Sequence, residues 1–208
     1  MIRYSKLFVL AMLAFCTYAA PASASEEFHA ETEGVTLSGS QTTTMTFTTD
    51  SGTTHCSSVN FSGTQSAKTA LSISLTSTTS GCQSTGFISA SATTHINNCT
   101  YIYHGWRQFW KVTTVPTDAS KGPCVHTYTY PFCTVTVNGG QSLGGGSVTN
   151  VGSGTTREIE LTYKVTNIEY SESGFACKNS GSKTTGGTLS GSIRLTGSKS
   201  GHVGIWVE

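Results

Sequence analysis

The chain has 208 residues, of which 36 are Thr, 29 Ser and 23 Gly, and only 11% are charged, against about 25% in an average soluble domain. Its formal net charge is +1, too little positive charge for a face that neutralises a run of phosphates, which argues against a nucleic-acid partner. The long Ala/Glu/Lys/Leu/Arg tracts of a helical bundle are also missing.

The first segment reads as a secretory signal. Arg3 and Lys6 form a positive start, Leu7 to Phe15 an apolar core, and Ala22-Ser23-Ala24 a small-x-small cleavage site. The apolar run is shorter than the roughly 20 residues that span a bilayer. Cleavage is expected after Ala24, so that residues 1–24 are removed and the mature chain begins at Ser25. A rival reading takes Leu13-Ala14-Phe15-Cys16 as a lipoprotein signal with Cys16 lipidated, but bulky Phe15 stands where a small residue is the rule. Without Cys16, six cysteines remain: Cys56, Cys82, Cys99, Cys124, Cys133 and Cys177. In an oxidising compartment they predict three disulfides, and none of them shows the close pairing of a zinc site. Spacing alone does not fix the pairing. The working expectation is Cys124–Cys133 as a local staple, with Cys56–Cys82 and Cys99–Cys177.

Residues 25–34, with Glu26, Glu27, Glu31 and Glu33, read as a solvated acidic lead-in. From residue 35 onward the apolar period is two. Leu71, Ile73 and Leu75 alternate with Ser and Thr, as do Ile88, Ala90, Ala92 and Ile96 farther on, and Val135 and Val137 alternate with Thr. Ile159, Leu161, Tyr163 and Val165 face away from Glu158, Glu160, Thr162 and Lys164. Leu189, Ile193 and Leu195, then Val203, Ile205 and Val207, close the series. Side chains two apart share one face of a strand, and β-branched Thr suits the solvated side. Asp50-Ser51-Gly52, Ser80-Gly81, Asn138-Gly139-Gly140, Gly144-Gly145-Gly146 and Gly186-Gly187 read as turns between strands. The expectation is one all-β domain over 35–208: an antiparallel β-sandwich or flattened barrel of about a dozen strands. Thr42, Thr44, Thr46 and Thr48 form a Thr row, but no constant repeat length supports an ice-binding solenoid.

Motifs for chemistry are weak. Gly140-Gln141-Ser142-Leu143-Gly144 has the form of a nucleophile elbow, yet the Gly-rich segment after it cannot be the required helix. Glu158 and Glu160 share a strand face, but their neighbours Arg157 and Lys164 mark an ordinary solvated surface rather than a hydrolase pair. The six histidines show no metal-ligand spacing, and no calcium loop occurs. Asn60-Phe61-Ser62 and Asn98-Cys99-Thr100 are glycosylation sequons in form, as chance predicts in so much Ser and Thr. No metal, cofactor or catalytic residue is therefore expected.

The concentrated signal is aromatic. Tyr101, Tyr103, Trp106, Phe109, Trp110, Tyr128, Tyr130 and Phe132 fall between residues 101 and 132, interleaved with His104, Arg107, Lys111 and His126. Rings on a rigid sheet can stack on sugars, which makes Trp106, Trp110, Tyr128 and Tyr130 the candidate ligand-binding residues. The competing reading is cross-strand packing inside the core.

Thr53-Thr54-His55-Cys56, Phe61-Ser62-Gly63-Thr64, Gly81-Cys82, Asn98-Cys99-Thr100-Tyr101 and Gly174-Phe175-Ala176-Cys177 are spread over most of the mature chain. With the signal segment they resemble a loosely defined group of small secreted bacterial β-proteins with paired cysteines. The resemblance implies an exported, disulfide-bearing β domain, and carries over no catalytic residue or ligand. The functional expectation is a non-enzymatic, secreted or cell-surface-associated binding domain, with a glycan or cell-wall polymer as partner. The alternatives are a secreted hydrolase with a site assembled across strands and a structural envelope protein.

Overall fold

A computed structural model describes residues 26–86, 90–106 and 109–208. The signal segment with Cys16, Ile88 and Arg107 lie outside the described residues, as does the side chain of Trp106. The strands are β1 (Phe28–Ala30), β2 (Val35–Thr49), β3 (Gly52–Gln65), β4 (Thr69–Ala70), β5 (Ser72–Thr85), β6 (Ala90–Asn97), β7 (Cys99–Trp106) and β8 (Phe109–Pro116). After them come β9 (Val125–Tyr130), β10 (Cys133–Asn138), β11 (Ser142–Val151), β12 (Glu158–Ser173), β13 (Lys183–Ser198), β14 (His202–Val203) and β15 (Ile205–Val207). The expected dozen-strand flattened barrel is what forms, with antiparallel ladders throughout a 12-stranded sheet.

Its architecture follows from strand length. β12, β13, β2, β3 and β5 are each 14 to 16 residues long and lie side by side in that order. The start of β5 (Ser72–Leu75) pairs with β7, and β7, β8 and β11 lead back to the first part of β12 (Glu158–Tyr163). That circuit closes a barrel of eight strands. The end of β5 (Cys82–Ser84) pairs with β6 instead, and β6, β9 and β10 lead to the end of β12 (Ser171 to Ser173). A second ring of eight thus sits on the same five long strands. The wall is continuous over those five and split between the two sets of three. Inside, the alternating apolar residues meet: Leu37, Leu75, Ile159, Leu161, Ile193 and Leu195 are buried. The outward faces of β2, β3 and β5 carry Thr36, Ser38, Ser40, Asn60, Ser62, Thr76 and Thr78, all exposed, the reverse of a barrel that turns apolar side chains to lipid. Among the described residues no helix is long and apolar enough to cross a membrane.

Three of the expected turns are not turns. Gly81, Gly145 and Gly186 lie inside β5, β11 and β13 at positive φ, and the ladders shift register across Gly145 and beside Gly186. Single extra residues of this kind bend a strand locally, which a closing barrel requires. Gly146, beside the bulge, lacks a side chain for a different reason. An added Cβ would lie 2.3 Å from the Trp110 indole nitrogen and 2.2 Å from the Thr162 carbonyl oxygen. Gly146→Ala is therefore expected to displace Trp110 and cost about 1–3 kcal/mol through overpacking, read as a lowered urea midpoint at unchanged slope.

The acidic lead-in is acidic but not free. Phe28 and Ala30 are buried, because β1 pairs with both β15 and β4 in a three-stranded sheet of its own. On this sheet Trp206 stacks on His29 at 5.2 Å and lies under the Arg157 guanidinium at 3.5 Å. Leu71, expected on an apolar strand face, precedes β5 and is 61% exposed.

The disulfides are Cys56–Cys82, Cys99–Cys124 and Cys133–Cys177. The first agrees with expectation and the other two correct it. β9 and β10 form a hairpin in which Cys133 faces Tyr130, while the Cys124 carbonyl accepts from Gly139 at the opposite end. The length of a six-residue strand, about 20 Å, therefore separates the presumed local staple. Cys124 instead meets Cys99 across the split in the wall, and Cys133 meets Cys177 in the loop after β12.

Candidate functional site

The split leaves space inside the barrel. Two neighbouring cavities of about 100 Å³ and 80 Å³ share Phe47, Tyr101, Thr114, His126, Tyr128, Leu143 and Leu189 in their lining. An aromatic cluster adjoins the larger one: Tyr103 and Tyr163, which line it, share a hydroxyl–hydroxyl hydrogen bond of 2.7 Å, and Trp110 packs edge-on to both. Phe47, which lines both cavities, stacks on Tyr128 at 5.2 Å and meets Tyr170 edge-on. Burial pushes the phenols of Tyr101, Tyr103, Tyr128 and Tyr163 above their ordinary range, so they stay neutral hydroxyls. Among the described residues no Asp, Glu, Lys or Arg borders either cavity.

His126 and Thr114 stand out in this lining. His126 shares the inward face of β9 with Tyr128 and stacks on it at 4.4 Å. Its Nε2 is sealed from solvent with no hydrogen-bond partner among the described residues, and the same holds for Thr114 Oγ1 on β8. Desolvation lowers the His126 pKa from 6.5 to about 4. This has a consequence for stability. Above pH 6.5 neither the folded nor the unfolded chain protonates this ring, and the full stability is present. Between 6.5 and about 4 the unfolded chain takes up a proton that the folded barrel refuses, so stability falls with pH. Urea midpoints at pH 7 and pH 4.5 should differ by more in the wild type than in His126→Gln.

A shallow outer depression lies over the split, bordered by Thr76, Ser77, Asn97, Asn98, Cys99 and Asp118. Ser77 also borders the larger cavity and Cys99 the smaller one, so single residues here face both the depression and the interior. Asn98 holds this region together. At φ 53° it turns the chain from β6 to β7, its amide donates to the Asp118 and Gly122 carbonyls, and its side-chain oxygen accepts from Asp118 N. Its amide is fully engaged, whereas Asn60 of the other sequon is exposed on β3.

The sequence-derived candidates divide. Tyr128 lines both cavities. Trp110, 2% exposed, sits behind Tyr103 and Tyr163, and its indole N–H donates to the Thr162 carbonyl. Tyr130, also buried, hydrogen-bonds Thr54 through its hydroxyl. These three rings point inward, so none is offered to a sugar from outside. Trp106 closes β7, its side chain outside the described part. Thr114, Met45, Phe47 and Tyr163 were not singled out beforehand as lining, since separate strands bring them together.

The remaining motifs carry no site. Ser142 is exposed at the start of β11, in a segment that crosses between the two sets of three strands rather than entering a helix. Glu158 and Glu160 meet Arg194 from β13 at 3.9 and 2.7 Å, and Glu158 meets His202 at 3.5 Å, an ordinary surface network. Among the described residues no group of three or more His, Cys, Asp or Glu is placed to hold a metal. No protein-family model, curated protein or solved structure matches this chain.

Proposed function

We propose that this is an exported, non-enzymatic binding protein that holds a small uncharged molecule inside its barrel. The observation that carries the reading is the paired interior cavity, apolar for most of its lining. Eight-stranded barrels are just wide enough to be filled by side chains or to hold one small ligand. Each cavity alone is smaller than the roughly 150 Å³ apolar cavity that admits benzene, so a ring-sized molecule would span the two. Three disulfides suit an oxidising compartment. A glycan or wall-polymer partner finds less support, because Trp110, Tyr128 and Tyr130 are interior.

The test is a thermal-shift titration of the oxidised protein with benzene, toluene and indole. Saturable rises in Tm are expected for at least one ring compound, and Leu143→Phe, which intrudes on both cavities, should abolish them. No saturable shift with any of the three would overturn the reading. Turnover of ester, peptide or polysaccharide substrates would favour the hydrolase alternative instead.

A further inference from the structure

We infer that Phe132 and Phe175 form an apolar tip that dips into a lipid surface, a contact separate from the interior cavity. They are the most exposed large apolar side chains among the described residues, at 66% and 82%, and the fold holds them out. Pro131, whose ring sets φ at about −65°, and Phe132 at φ 68° join β9 to β10 with the φ signs of a type II turn. The third position of that turn normally takes Gly or Asn, and a bulky side chain there carries backbone strain. The loop after β12 is pinned to this turn beside both rings: Cys177 through its disulfide to Cys133, and Ala176 N by donating to the Phe132 carbonyl at 3.2 Å. Gly174 lets the two backbones meet, since an added Cβ would lie 2.2 Å from that same carbonyl oxygen. The rings then approach to 4.7 Å, and Pro131 is exposed as well. A turn with a purely structural task gains nothing from a strained, exposed Phe where Gly fits.

Size and charge select the partner. At about 200 Å² for each aromatic side chain, the exposed fractions amount to about 300 Å², against about 800 Å² per partner in a stable protein interface. The patch is too small to hold a second copy or another protein. The rings are tilted by 31° to each other, so they do not share one plane on which a sugar could lie. Residues 130–133 and 174–182 contain no carboxylate, and their single charged side chain is Lys178, which is exposed. Of the carboxylates that reach this loop, Asp50 accepts from the Asn179 amide, and Glu172 is buried beneath it, accepting from Asn179 N. Apolar rings with an ammonium alongside match a bilayer surface, where the rings pass below the phosphate headgroups and the lysine stays among them.

Co-sedimentation with vesicles of phosphatidylcholine and phosphatidylglycerol in a 4:1 ratio tests this. The oxidised protein is expected to partition onto them, and Phe175→Ser to lower the partition coefficient on the order of ten-fold, as the loss of one buried ring implies. Phe132→Gly should lower it by a similar factor while leaving the urea midpoint unchanged or higher, because Gly adopts the positive φ freely. A ring with only a structural role would not separate the two readouts in this way. Leu143→Phe, which intrudes on the interior cavities, should leave vesicle binding unchanged, so that the tip and the cavity are tested independently. No partition of the wild type, or partition that survives both ring variants, would overturn the inference. A dimer in sedimentation velocity that Phe175→Ser dissolves would assign the rings to a second copy and overturn it as well.

Discussion

Trp110→Ala should lose about 3–5 kcal/mol of stability, the range for truncating a buried large aromatic, and lower Tm by roughly 10 °C in a chain of this size. The cost has three sources. The ring is 2% exposed, it packs edge-on to Tyr103 at 5.6 Å and Tyr163 at 4.7 Å, and its N–H donates to the Thr162 carbonyl at 3.2 Å. Removing it takes away that side-chain hydrogen bond and opens a void beside Tyr163, which lines the larger cavity. Urea denaturation of the oxidised protein measures the loss. A change within about 0.5 kcal/mol, as at an ordinary surface position, would place the ring at the surface and restore a stacking face for sugars.

The second large effect belongs to Cys133–Cys177, which closes the longest of the three disulfide loops, with a sequence separation of 44. Replacing both cysteines with serine should cost about 4 kcal/mol in chain-entropy terms. It should also free the loop that carries Phe175, whose ring lies tilted against Phe132 at 4.7 Å with both rings exposed. Peptide mapping of the unreduced protein checks the pairing behind this expectation. A Cys124–Cys133 link, or a loss under 1 kcal/mol in the double variant, would contradict it.

Much of the fold was legible because a period of two is a local signal. Ile159, Leu161, Tyr163 and Val165 alternate in sequence, and all four are buried on β12. The glycines were ambiguous for a physical reason. A positive φ serves a turn and a bulge equally well, so Gly81, Gly145 and Gly186 do not declare from sequence that their strands continue through them. The two misjudged disulfides have a related origin. Cys124 and Cys133 are close in sequence, but the intervening residues form an extended strand and hold them apart.

The site was legible only in part. His126 and Tyr128 share a strand face, which their spacing of two reveals. Thr114, Phe47 and Tyr163 reach the cavity from β8, β2 and β12, and only the closing of the barrel brings them to it. Whether eight aromatic residues in 32 positions make a surface or a core depends on the direction of closure, which periodicity alone leaves open.

The split wall gives ligand exchange a location. Cys99–Cys124 and the Asn98 hydrogen bonds clasp β7 to the loop before β9, where depression and cavities come closest. Serine in place of both Cys99 and Cys124 should speed the release of a bound ring compound more than it changes the affinity. Stopped-flow displacement measures the rate, and an unchanged rate would move the entrance elsewhere.

The central claim is that a small neutral molecule sits inside the barrel, and intermolecular NOEs between phenol and the isotope-labelled protein test it most directly. The expected contacts run from the phenol ring protons to Tyr128, Tyr163, Leu143 and Leu189, all of which border the larger cavity. Contacts confined to the exposed rings of Phe109, Phe132 and Phe175, with none to the interior, would contradict it.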